Sequence, residues 1–243
     1  MKNKAFFLML LFLLSFFSCK QDDTDEVCTN DCTTIQGKII RADNSGIEGV
    51  KVTFSYIIST PNYSIRNIAD GYTDQNGNYS FSGYIKDNEI DLTKNFKITI
   101  DTLKVQSSLS NAFLKTNEMP KEILSRTDNI VIEGFQTRPE TINVIDYIVP
   151  FKTDLTINLK NFEPIIDNDL FGFESRVEYG FREQMALTMS VNANSANTQF
   201  NIITGTGENA IKVRKIKNGS LSNYNETIII NETPSNISLD FEY

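Results

Sequence analysis

Gly49-Val50-Lys51-Val52-Thr53-Phe54-Ser55-Tyr56 alternates without interruption: Val50, Val52, Phe54 and Tyr56 fall on one side, Lys51, Thr53 and Ser55 on the other. A period of two is the signature of a half-buried strand, because successive side chains leave opposite faces of a pleated backbone. The same period recurs at Phe96, Ile98 and Ile100, at Ile130 and Ile132, and at Leu155, Ile157 and Leu159. Between these runs Asp74-Gln75-Asn76-Gly77-Asn78 supplies an Asn-Gly pair that tolerates positive φ, and the expectation is a tight hairpin leading into Tyr79-Ser80-Phe81. Further on, Leu187, Met189 and Val191 alternate, as do Ile211 and Val213, with Asn218-Gly219 between two strand-like runs. The chain closes on Leu239, Phe241 and Tyr243, the stripe of a final strand. An all-β, antiparallel sandwich architecture follows, and 243 residues suffice for two such units. A shift to Asp167-Asn168-Asp169 after Asn161-Phe162-Glu163-Pro164 sets the expected division: 33–162 and 163–243, two sandwiches in series.

The first thirty residues read differently. Lys2 and Lys4 precede an apolar run from Ala5 to Phe17, which ends in Ser18-Cys19. As a helix, this run of about thirteen residues rises only about 20 Å, short of a hydrocarbon core of roughly 30 Å, so it reads as a signal peptide (1–18). A small residue directly before a cysteine resembles the lipobox of bacterial lipoproteins, although Phe16 and Phe17 stand where a leucine and a small residue are usual. That resemblance implies acylation of Cys19, palmitate included, and attachment to the membrane through an N-terminal lipid. The tether (19–32) opens with Lys20-Gln21-Asp22-Asp23-Thr24-Asp25-Glu26. Lys20, Asp22, Asp23, Asp25 and Glu26 together resemble the export signal of Bacteroidota lipoproteins, which implies a surface-exposed place on the outer membrane; the plainer reading is a solvated tether. Cys28 and Cys32 have only each other to pair with outside the reducing cytosol, so a local disulfide is expected, worth about 2 kcal/mol. A metal site would need further cysteine or histidine ligands, which the chain lacks.

Ile35-Gln36-Gly37-Lys38-Ile39-Ile40, Gly46-Ile47-Glu48-Gly49-Val50-Lys51-Val52 and Thr73-Asp74-Gln75-Asn76-Gly77-Asn78-Tyr79-Ser80-Phe81 together resemble the carboxypeptidase regulatory-like domain, a transthyretin-like β-sandwich. The likeness covers roughly 33–103; beyond it lies an insertion with a short helix expected around Pro120 to Leu124. The resemblance implies an accessory, non-catalytic module.

Composition narrows the chemistry. The net charge of −8 is the wrong sign for a nucleic-acid partner. The absence of histidine excludes serine–histidine, cysteine–histidine and histidine–zinc mechanisms, and the absence of tryptophan removes the best sugar-stacking ring. No cofactor, metal or catalytic residue is assigned. Several features have a bland and a sharp reading. Asp74 and Asn76 could open a calcium loop, but no downstream bidentate Glu follows, and a turn is simpler. Lys38 or Lys51 could form an isopeptide bond with a facing Asn or Asp, with nothing to single out the partner. Asp101-Thr102-Leu103 resembles a Bacteroidota O-glycosylation motif. Phe171, Phe173, Tyr179 and Phe181 could form a binding surface, though an aromatic strand is more often core. Asp167, Asp169 and Glu174 could bind calcium or act as paired carboxylates; a solvated linker face is the simpler reading. Three functions remain: a surface module for adhesion or binding of an envelope protein or glycan, associated with an outer-membrane complex; an envelope spacer; and, least favoured, a glycan hydrolase using paired carboxylates.

Overall fold

The computed structural model describes residues 28–58, 63–102, 112–115, 128–194, 198–231 and 236–243. The lipobox, the acidic run and the expected helix near Pro120 lie outside them.

The first part of the chain forms β1 (Thr33–Ile40), β2 (Lys51–Ile58), β3 (Ser64–Tyr72), β4 (Asn78–Gly83), β5 (Asn95–Asp101), β6 (Asn129–Glu133), β7 (Thr141–Asn143) and β8 (Tyr147–Ile148). Two sheets result, one in the order β4-β1-β7 with β8 also beside β1, the other β3-β2-β5-β6. The alternation does what elementary packing requires of it: Val52 and Phe54 of β2 and Phe96 and Ile98 of β5 are fully buried against Ile35 of β1. Burial extends beyond the alternating positions at Ser55, between Phe54 and Tyr56, next to the point where the β2–β3 register slips because β3 carries one extra residue, Ile68. The Ser55 hydroxyl is satisfied by donating to the Asn67 side chain at 3.1 Å.

Two expectations are corrected. The sandwich is not wholly antiparallel, since β1 pairs parallel with both β7 and β8. The Asn-Gly turn is not a hairpin either: β3 and β4 lie in different sheets, and the turn carries the chain over the sandwich edge. It is held there by Asp74, whose carboxylate accepts the amides of Asn76 and Asn78 at 2.9 and 2.8 Å, and by close stacking on Gly46. A β-carbon at Gly46 would lie 2.0 Å from the Asn76 carbonyl carbon, so only glycine fits.

The remainder forms β9 (Lys152–Lys160), β10 (Leu170–Tyr179), β11 (Glu183–Asn192), β12 (Gln199–Gly205), β13 (Gly207–Lys217), β14 (Ser220–Ile230) and β15 (Ile237–Glu242). These make a second sandwich from the sheets β11-β10-β13-β14 and β12-β9-β15. Strand β9, placed by sequence at the end of the first unit, is central here, and its Leu155, Ile157 and Leu159 pack against Phe171, Phe173 and Phe241. By strand pairing the chain therefore crosses between sandwiches around Pro150 and Phe151, ahead of Phe162. The closing stripe does form a strand, parallel to β9, and Asn218-Gly219 does join β13 to β14.

Strand β10 belongs to both cores. Its first half, Phe171 and Phe173, fills the second, whereas Val177 and Tyr179 join Phe181 and Met185 of the following hairpin in the first. Tyr147 meets Tyr179 at 6.0 Å and Phe181 at 4.9 Å, both edge-on, and Ile148 and Gly180 exchange backbone hydrogen bonds of 2.8 Å. The two sandwiches are thus interlocked, the hairpin tip of the second serving as core of the first.

Candidate functional site

The junction leaves an open cleft of about 370 Å³ between the Ala42–Asn44 turn and the exposed ends of β10 and β13. Its floor is Ile148, Val177 and Thr206, all buried. Thr206 is fixed by a pair of bonds with Phe151: its amide donates to the Phe151 carbonyl at 2.9 Å, and its hydroxyl accepts the Phe151 amide at 3.0 Å. Arg41 caps the same ring, its guanidinium 5.2 Å from the Phe151 centroid.

Charged side chains form the rim. Arg182, at positive φ in the β10–β11 turn, reaches Asp146 at 3.6 Å and Glu178 at 3.5 Å, while Arg176 pairs with Glu174. Glu208 stands exposed opposite them. The two arginines are about half exposed, so such pairs contribute little to stability and can exchange partners cheaply. A cleft floored by Ile148, Val177 and Thr206, with a rim of arginines and carboxylates, can hydrogen-bond a polar ligand or an extended segment. It brings together no nucleophile, base and orienting group of the kind bond cleavage requires.

Beneath the rim is a polar cluster the sequence does not announce. Asn209, Ser175 and Thr204 are fully buried. The Asn209 side-chain oxygen accepts from the hydroxyls of Ser175 at 2.9 Å and Thr204 at 2.7 Å, and its NH2 donates to the Gly205 and Gly207 carbonyls at 2.9 and 3.2 Å. A second buried pair, Arg66 with Glu89, ties β3 to the turn after β4, with Arg66 Nε donating at 2.8 Å. Arg66 and Glu89 sit twenty-three residues apart, with no local pattern joining them.

The residues singled out from sequence fall as follows. Cys19, Lys20, Asp22, Asp23, Asp25 and Glu26 lie outside the described residues. The sulfurs of Cys28 and Cys32 are 2.09 Å apart and their Cα atoms 5.7 Å, immediately before β1. Lys51 is paired with Asp70 on the neighbouring strand at 2.5 Å, partly exposed. Its amine is held above its usual range first by that hydrogen bond. Thr102 is 7% exposed and lines a cavity of about 350 Å³ together with Lys51, Thr53 and Asp128. Phe171, Phe173, Tyr179 and Phe181 are core.

Asp167, Asp169 and Glu174 do not converge. Asp167 is exposed, Glu174 serves Arg176, and Asp169 is buried with its carboxylate accepting the amides of Ile165, Ile166 and Asn218. Burial alone would raise its pKa, but these backbone donors outweigh it and hold the carboxyl below the ordinary 3.8. Asp169 therefore clamps the β9–β10 loop to the β13–β14 turn, its carboxylate committed to three backbone amides. Among the described residues no group of three or more metal-ligating side chains occurs, and no helix is long and apolar enough to cross a membrane.

No family model matches the chain, and no characterised protein matches it in sequence. Solved structures give partial likenesses. The TIE protein of Bacillus anthracis is 11% identical at a TM-score of 0.33; the match covers 87% of this chain, which spans only 34% of that protein's length. The shaft pilin spaA of Lactobacillus rhamnosus GG is 8% identical at 0.32, over 86% and 98% of the two chains. The tip fimbrial protein Mfa3 of Porphyromonas gingivalis is 12% identical at 0.27, over 83% of each. Scores this low carry no argument about function.

Proposed function

We propose that this chain is a non-catalytic lipoprotein, held in the outer membrane by the lipid on Cys19 and displaying its two sandwiches at the cell surface for binding or adhesion. The observation that carries this reading is the order of segments from the N-terminus. A lysine-flanked apolar run ends at Ser18-Cys19, an acidic tether follows at once, and a strand-built body begins at Thr33. Such a chain has a lipid at one end and a rigid, interlocked body at the other. The junction cleft is where a ligand would sit, with an envelope protein or a glycan, within an outer-membrane complex, as the partner class its polar rim suits. The interlocking also suits an envelope spacer; altered envelope integrity after deletion, with binding to intact cells unchanged, would favour that role.

The test replaces Asp22, Asp23, Asp25 and Glu26 together by alanine and applies protease to intact cells. Surface display requires that the parent be digested and the variant, made in equal amount, be protected. Equal digestion of both would remove the acidic run from the account, and protection of both would remove the surface.

A further inference from the structure

Among the described residues β14 is paired along one side only, with β13, and its other edge is open. Natural edge strands are usually blunted by lysine, proline, a bulge or shortness. None of these is present: Ser220–Ile230 runs eleven residues with a single charge, Glu226, in an unbroken register against β13.

The turn decides which backbone groups face outward. Asn218 and Gly219 both have positive φ, 48° and 74°, a two-residue turn of the primed kind. The residues flanking such a turn form a hydrogen-bonded pair, so Ser220 and every second residue after it direct their amide and carbonyl to β13. Leu221, Asn223, Asn225, Thr227 and Ile229 therefore present theirs to the open edge. Leu221 and Ile229 are also large apolar side chains left 56% and 77% exposed. They stand four residues to either side of Asn225.

We infer that β14 pairs antiparallel with β14 of a second copy of this chain, about a two-fold axis through Asn225. In this register Leu221 lies opposite Ile229 of the partner subunit, and the reverse, so both exposed apolar side chains are covered twice over. Every outward amide and carbonyl from Leu221 to Ile229 finds a partner, about ten hydrogen bonds in all. Glu226, already accepting from the Tyr224 hydroxyl at 2.6 Å, falls opposite Tyr224 of the partner subunit. Displacing the axis by one residue towards Glu226 would set the two Glu226 carboxylates face to face; displacing it the other way would uncover Ile229. Charge, hydrogen bonding and apolar cover therefore select one register, and two four-stranded sheets become continuous.

The test is oxidative cross-linking of the full chain in intact cells. At the axis the two Asn225 Cα atoms would be roughly 5.5 Å apart, within disulfide reach. N225C is expected to give a band of twice the monomer mass on non-reducing gels, whereas N223C, facing Thr227 of the partner subunit, gives none. The double variant N223C/T227C restores the band. Adding I229K to N225C abolishes it without altering the thermal melt, because Ile229 is a surface residue in the monomer. No dimer band from N225C at normal surface levels, equal bands from N225C and N223C, or cross-linking to a different polypeptide would each overturn the inference.

Discussion

Truncation of Phe181 to alanine tests whether the hairpin tip between β10 and β11 is core for the first sandwich. Phe181 is 7% exposed and meets Tyr147 edge-on at 4.9 Å. Removing a buried phenylalanine costs about 3–5 kcal/mol, of which the ring pair accounts for about 0.5–1.5. The tip lies in a turn beside Gly180 and can partly close over the vacancy, so the low end, about 3 kcal/mol, is expected. That corresponds to a roughly hundredfold rise in the open population. Backbone hydrogen exchange read by mass spectrometry under conditions where it reports opening equilibria is the assay. Exchange should accelerate about hundredfold in β8, which is bonded to Gly180, and in β1, which is bonded to β8. Acceleration confined to the β10–β11 hairpin, with β1 and β8 unchanged, would refute the interlock.

Other perturbations follow from the same geometry. Asn209→Ala removes the acceptor shared by two buried hydroxyls, which keep only their mutual contact at 3.4 Å, and urea unfolding should show a loss of about 2–3 kcal/mol; a loss within error would mean water replaces the amide. Gly46→Ala drives a β-carbon into the Asn76 backbone and should cost about 1–3 kcal/mol in the same measurement, with no change expected if that turn were free to shift. Asp169→Asn tests the clamp through pH. A carboxyl held below its unfolded value contributes stability that is complete above about pH 4 and lost as pH falls through the folded value. The parent should therefore melt higher than the variant at neutral pH, and the gap should narrow as the pH drops below 4. A gap independent of pH would contradict the role given to the carboxylate.

Most of the strand content was legible because it rests on alternation, which burial enforces residue by residue. Val52, Phe54, Phe96 and Ile98 point where their period places them. What alternation cannot carry is partnership. Leu155, Ile157 and Leu159 announce a strand but not its sandwich, and the pairing of β9 with β12 and β15 is set by contacts up to eighty-two residues away. Asn76-Gly77 announces a turn but not whether its flanking strands share a sheet, and here they do not. Thr102 matches a short motif whose meaning rests on exposure, a property of the fold alone. Asp169 looked like one carboxylate among three; its three amide donors, from two separate loops, meet only in space.

The role proposed for the sandwiches follows from the anchor, so the chemical state of Cys19 tests it most directly. Intact-mass and peptide mass spectrometry of the mature protein should find Cys19 as the first residue, its sulfur in thioether linkage to a diacylglyceryl group. A free thiol at Cys19, or a product that still carries residues 1–18, would contradict the account.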